Sequence, residues 1–234
     1  MDLHPWLAPL TGVLAGSILA LRGLTFAEAA PTPSPAAPAA PKAVVHVGIL
    51  LFEGVELLDF AGPAEVFVVA GQGNLYAVHT IAQTKAPLKT MGGVEIVPSH
   101  AYGDAPSLDI LVVPGGAMRN LTPEGLGWLR VTSTRAKVTM SVCMGAILLA
   151  KAGLLEGIEA TTHHWGLENL RRLAPTCRVV AGRRFVDAGR IVTTAGVTAG
   201  IDGALHLVER FHGIEAATWA AKEWMEHPSA ASQP

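Results

Sequence analysis

A thiol, a carboxylate and a pair of histidines are the groups in this chain whose types and settings could do chemistry. The thiol is Cys143, inside Lys137–Ala150 (KVTMSVCMGAILLA). A short β-branched run precedes it and a Gly-Ala-Ile-Leu-Leu-Ala run follows, the pattern of a strand turning sharply into a helix. Such an elbow holds its side chain in a tight backbone geometry above the sheet edge. It also sets the thiol at a helix N-terminus, where free amides favour a thiolate. The plain alternative is a buried, unreactive cysteine. The carboxylate is Asp59, expected in the loop after the apolar run Val44–Phe52. In an open α/β sheet that edge binds ligands, although a turn cap is a common use of Asp. The histidines are His163 and His164, after Ala160-Thr161-Thr162.

These groups need a scaffold. Val44–Phe52 is nearly continuous in apolar residues, as suits a strand buried on both faces. A helix is expected over Ala64–Ala70, with Pro63 in its first turn. Tyr76–Gln83 reads as a second strand and Val94–Val97, after Gly92-Gly93, as a hairpin arm or edge strand. Asp109–Val113 is another buried strand, stopped by Pro114-Gly115-Gly116, whose glycines allow close backbone approach to a ligand or form a plain tight turn. Thr122 and Pro123 mark a helix start. Further helices are expected over 165–173, from Ala199 to His212 and over 214–227, the last with Trp219 and Trp224 on its apolar side. A hairpin with its turn at Ala188-Gly189 lies between them. Alternating buried strands and helices give an α/β class: a doubly wound, mostly parallel sheet with helices on both faces.

Bulk properties exclude some functions. The chain has 234 residues, 50% of them apolar and 15% charged, with a formal net charge of -2. That is a globular composition, and with no Lys/Arg cluster it gives nucleic-acid binding little electrostatic support. Cys143 and Cys177 make no disulfide framework. No CxxC or HxxxH pair has metal-ligand spacing, although His79, His100, His163, His164 and His206 could meet in space. No cofactor or metal is called for. Residues 1–30 read as a secretory signal or an N-terminal membrane anchor: Leu7–Leu21 is apolar and Ala27-Glu28-Ala29 fits a cleavage site, while the lack of Lys or Arg before the run and Arg22 after it argue against export. Membrane contact is expected only through this segment, and an exported or anchored location follows. Residues 31–42 are a Pro/Ala linker, residues 43–228 the folded domain, and residues 229–234 a frayed tail.

The ordered segments Leu57–Phe67, Val112–Gly116, Ser141–Ala146, Ala160–His163 and Ala195–Asp202 resemble the ThiJ/PfpI branch of the class I glutamine-amidotransferase-like superfamily, nearest its isonitrile hydratase-like members. The same domain also begins some AraC-type regulators. The resemblance implies a flavodoxin-like fold, a homodimer, a cysteine nucleophile at Cys143 and a proton-carrying role for Asp59 beside it. His163 matches a strand-end histidine that assists in related proteins, or is structural. The residue after the nucleophile is usually Thr in the hydratases, and here it is Met144, whose thioether donates no hydrogen bond. The reaction is therefore open between isonitrile hydration and amide hydrolysis of a small nitrogen-containing molecule. A non-catalytic ligand sensor and a redox or carbonyl-stress protein with an oxidisable Cys143 are the other readings. The amides of Gly116 and Met144 could serve as oxyanion donors, with Gly115 shaping that loop. Thr198 could line the pocket or cap the helix after it.

Overall fold

The computed structural model describes residues 43–228. The expected leader, linker and tail lie outside the described residues. Seven strands form one sheet, in the order β10-β11-β7-β6-β1-β2-β5. They are β1 (Val45–Leu50), β2 (Tyr76–Ala82), β5 (His100–Ala101), β6 (Ile110–Val113), β7 (Val138–Ser141), β10 (Phe185–Asp187) and β11 (Ile191–Thr194). Only β10 runs antiparallel. Two small ribbons lie outside it: β3 (Leu88–Lys89) with β4 (Glu95–Ile96), and β8 (Glu159–Ala160) with β9 (Arg178–Val179). The β3–β4 pair is the hairpin arm expected around Gly92-Gly93.

Six α-helices cover the sheet: α1 (Leu57–Val69), α2 (Pro123–Arg135), α3 (Gly145–Lys151), α4 (Leu167–Leu173), α5 (Ala199–His212) and α6 (Ile214–Trp219). They fall into two packing groups, α1 with α5 and α6, and α3 with α2 and α4. Strands β6 and β7 are buried throughout, because both of their faces meet helices. The chain leaves β1 toward β2 on one side and returns to place β6 on the other. The topological switch point therefore falls between β1 and β6, where α/β sheets bind ligands.

Three expectations need correction. Helix α1 begins at Leu57, with Pro63 in its interior, so Asp59 stands in the first helical turn rather than in a loop. Glu56 offers no side-chain cap there, so the boundary lacked the Ser/Thr/Asp signal that marked α2, where the Thr122 hydroxyl accepts from the Gly125 amide. The last helix gives way after Trp219 to a π-helical turn, Ala220–Trp224. Trp224 is exposed rather than apolar-packed, and its indole N–H donates to Glu65 at 2.9 Å. Thr198 precedes α5 but makes no capping hydrogen bond.

Candidate active site

Three strand ends converge on Cys143. Asp59 follows β1, Gly115 follows β6, and Cys143 follows β7. The elbow is genuine: Cys143 has φ +56, a left-handed conformation that costs a non-glycine residue roughly 1–2 kcal/mol. Hydrogen bonds at both of its backbone groups hold it there. Its N–H donates to the Ala195 carbonyl at 2.9 Å, and its carbonyl accepts from the Thr162 hydroxyl at 2.7 Å and the His163 N–H at 3.4 Å.

Glycines let the three loops close up. A side chain at Gly145 would collide with the Val113 carbonyl oxygen, so α3 can leave the elbow only because that position lacks one. A Cβ at Gly115 would lie 2.8 Å from the Met144 nitrogen and 2.9 Å from Asp59 Oδ2. In its absence the Gly115 N–H donates to that oxygen at 2.9 Å.

Asp59 is 0% exposed. Burial, with a smaller push from Glu56, raises its pKa to about 6 against the opposing Gly115 N–H and the Cys143 thiol. The thiol addresses the carboxyl only loosely, since Oδ1 is buried with no hydrogen-bond partner among the described residues. Cys143 is 8% exposed. Burial first, and the Asp59 charge second, push its thiol up to about 12, against the amides of Val197 and Met144, which both point at the sulfur. The helix-terminus argument for a ready thiolate is therefore overturned. Helix α3 has only two turns, and its field loses to desolvation and a carboxylate. At neutral pH the pair is a carboxylate beside a thiol, with one dissociable proton between them.

The other expected site residues separate. The Met144 amide faces the sulfur, as does that of Val197, which sequence reasoning missed; a positive φ at Val197 has no one-residue signature. The Gly116 amide bonds neither the thiol nor Asp59, and Gly116 instead allows close approach to Gly54 and Val55. The Met144 side chain packs against Gly166, just ahead of α4, where an added Cβ would lie 2.7 Å from its sulfur. The His163 ring accepts at Nδ1 from the Trp165 N–H at 3.3 Å, which leaves the ring proton on Nε2. Burial and His164 lower its pKa, and its link to Cys143 runs through its backbone. His164 and Trp165 ring it at centroid distances of 4.2 and 4.8 Å, and the Trp165 indole is 81% exposed. The Thr198 hydroxyl accepts from Arg184. Of the histidines that could have met, His79 and His100 do so beside His46, while His206 bonds Asp187. Among the described residues no three His, Cys, Asp or Glu side chains are placed to hold a metal ion. Cys177 is buried, with its pKa raised.

A flavodoxin-like sheet with a cysteine elbow at the end of β7, and a buried acid beside it on the first helix, defines the class of α/β protein to which the chain belongs. The chain belongs to the DJ-1/PfpI family, whose profile matches residues 45–210. It is 34% identical to an isonitrile hydratase of Pseudomonas putida over 74% of this chain and 75% of that one. It is also 30% identical to the HTH-type transcriptional regulator GbdR of Pseudomonas aeruginosa, over 72% of this chain. The match spans about half of that regulator's length, 47%. Among solved structures, a ThiJ/PfpI family protein from Pseudomonas syringae superposes with a TM-score of 0.72 at 28% identity, over 88% of this chain and 86% of that one.

Proposed function

We propose that the protein is a cofactor-free, cysteine-dependent hydratase of small isonitriles, or an amidase of related small nitrogen-containing substrates. The observation that carries this is the buried Asp59 carboxylate with one oxygen unpartnered beside the Cys143 thiol. A buried acceptor without a donor is costly, and it is here placed to take a proton when sulfur attacks.

The steps balance as follows. Asp59 takes the thiol proton as Sγ bonds to the terminal carbon of R–NC. The resulting carboxylic acid returns that proton to the same carbon, giving the thioimidate R–N=CH–S–Cys143. Water then adds to the C=N carbon and its proton passes to nitrogen. Collapse of the adduct expels the thiolate, which is reprotonated through Asp59, and releases R–NH–CHO. The amides of Met144 and Val197 meet the sulfur when it carries charge. The same thiolate could form a thioester from an amide.

The test compares wild type, Cys143→Ala and Asp59→Asn on an isonitrile and a small-amide panel, following formamide, acid and ammonia. Product from wild type and none from Cys143→Ala is expected. No product from wild type on any substrate sinks the enzymatic reading and leaves the ligand-sensing one, which the likeness to GbdR favours. Met144→Thr bears on the reaction: the shorter side chain frees the space under Gly166 and adds a hydroxyl, so hydration is expected to rise about tenfold while amide turnover stays flat. An unchanged ratio of the two would mean that residue 144 does not choose the reaction. We also propose a homodimer, supported by the exposed Leu57, Leu58 and Val68 of α1, and an exported location, which rests on residues 7–29 alone.

A further inference from the structure

The turn between β11 and α5 carries an unusual backbone and sits against the nucleophile. Val197 has φ +31, a region β-branched residues rarely enter. Its N–H points at the Cys143 sulfur. The Ala195 carbonyl, two residues earlier, takes the Cys143 N–H at 2.9 Å.

One residue holds this turn at three places. The Arg184 carbonyl accepts from the Ala195 N–H at 2.8 Å. Its guanidinium Nη2 donates to the Thr198 hydroxyl at 3.2 Å. Nε donates to Asp202 Oδ2 at 2.7 Å, and Nη2 bonds the same oxygen. Asp202 lies in the first turn of α5 and is 4% exposed. A charged pair with one member buried is an expensive way merely to fasten a loop. Within the turn, the Ala199 N–H donates to the Gly196 carbonyl at 2.9 Å and the Gly200 N–H to the Val197 carbonyl at 3.2 Å, so the turn is tied by hydrogen bonds to the start of α5.

We infer that Arg184 is a positioning residue for Cys143: by tying Ala195, Thr198 and Asp202 together, it keeps the strained Val197 turn in place and that turn's amide on the nucleophilic sulfur. The Arg184 side chain bonds Thr198 and Asp202 rather than the sulfur; it acts through Val197. The inference rests on Cys143 being the reactive group. Asp202 is the buried anchor that fixes the guanidinium, and Thr198 the contact that carries its position to the turn.

The test is the rate of Cys143 alkylation by iodoacetamide at pH 9, followed by mass spectrometry on the Cys143 peptide in the full chain. An amide withdrawn from the sulfur lowers the thiolate fraction and slows alkylation, whereas a turn that only loosens exposes the thiol and speeds it. Arg184→Gln is expected to slow Cys143 alkylation about tenfold, and Arg184→Lys to give an intermediate rate, because an ammonium can hold Asp202 but cannot fork to Thr198. With an accepted substrate, Arg184→Gln should lower kcat and leave KM little changed. A folded Arg184→Gln protein that alkylates at the wild-type rate or faster overturns the inference. If that variant fails to fold, Thr198→Val, which keeps the Arg184–Asp202 pair, is read the same way: slowing of about two- to threefold is expected, and an unchanged rate overturns the inference. Alkylation needs no turnover, so a wild type inactive on every isonitrile would count against the hydratase and leave this result standing.

Discussion

Asp59→Asn should give a protein that is more stable and nearly inactive. The sign follows from burial. The Asp59 pKa is raised to about 6 in the folded chain from the model-compound value of 3.8. The folded state therefore binds that proton more tightly than the unfolded chain, and stability falls as pH rises between those two values. By pH 7 the full penalty, about 3 kcal/mol, is in place. Below about pH 3 both states are protonated and almost none is left. Denaturation curves of wild type and Asp59→Asn should nearly coincide at about pH 3 and separate by about 3 kcal/mol at pH 7, with the variant more stable. Asparagine can still accept from the Gly115 N–H, so the loop after β6 is retained. Activity should move the other way. Under the proposed mechanism, loss of this proton acceptor is expected to cost roughly 10²–10⁴ in kcat/KM. The wild-type limb rising through about pH 6 should vanish with it. A variant less stable than wild type at pH 7 would mean that the carboxylate is stabilised by more than the structure provides. The thiol adds nothing to this balance at neutral pH, since its proton stays on in both states.

The second large effect is on the fold of the elbow. Gly145→Ala would place a methyl group against the Val113 carbonyl oxygen, with the Pro114 carbonyl oxygen 3.0 Å away on the same side. Both obstacles are backbone, so no rotamer change relieves them. Either β6 parts from α3 or the elbow unwinds. A loss of at least about 3 kcal/mol is expected in urea or guanidinium denaturation. Residual folded protein should be inactive, because the Met144 amide and the thiol move with the start of α3. Gly127→Ala is the control: Gly127 lies within α2 with no atom within 4 Å of an added Cβ, so the change should be neutral or stabilising by about 0.5–1 kcal/mol. Equal effects at the two positions would show that the close approach at Gly145 carries no strain.

Much of this arrangement was legible because it is written locally. The elbow could be read from a β-branched run, one Cys and a Gly-Ala start. The buried strands showed as unbroken apolar runs, and α2 announced itself with Thr122 and Pro123. The start of α1 was missed because its N-cap is Glu56, whose side chain bonds nothing there, while Gly62-Pro63 imitates a helix start. The partners at the nucleophile were harder still. That Asp59 takes the Gly115 amide, and that Val197 rather than Gly116 faces the sulfur, depends on chain segments far apart in sequence and on a positive φ that no residue type at 197 announces. The direction of the Cys143 shift is hidden for the same reason: a helix N-terminus can be read from sequence, but the burial that outweighs it cannot.

The proton on Cys143 also governs what the protein can survive. Peroxides and adventitious alkylating agents consume thiolates, not thiols. A thiol held up to about 12 presents on the order of one part in 10⁵ of the reactive form at pH 7. At neutral pH the sulfur therefore rests almost wholly as a weakly reactive thiol, and under the proposed mechanism it becomes a nucleophile only as its proton passes to Asp59. A site of this kind trades indiscriminate reactivity for resistance to oxidants and stray alkylating agents.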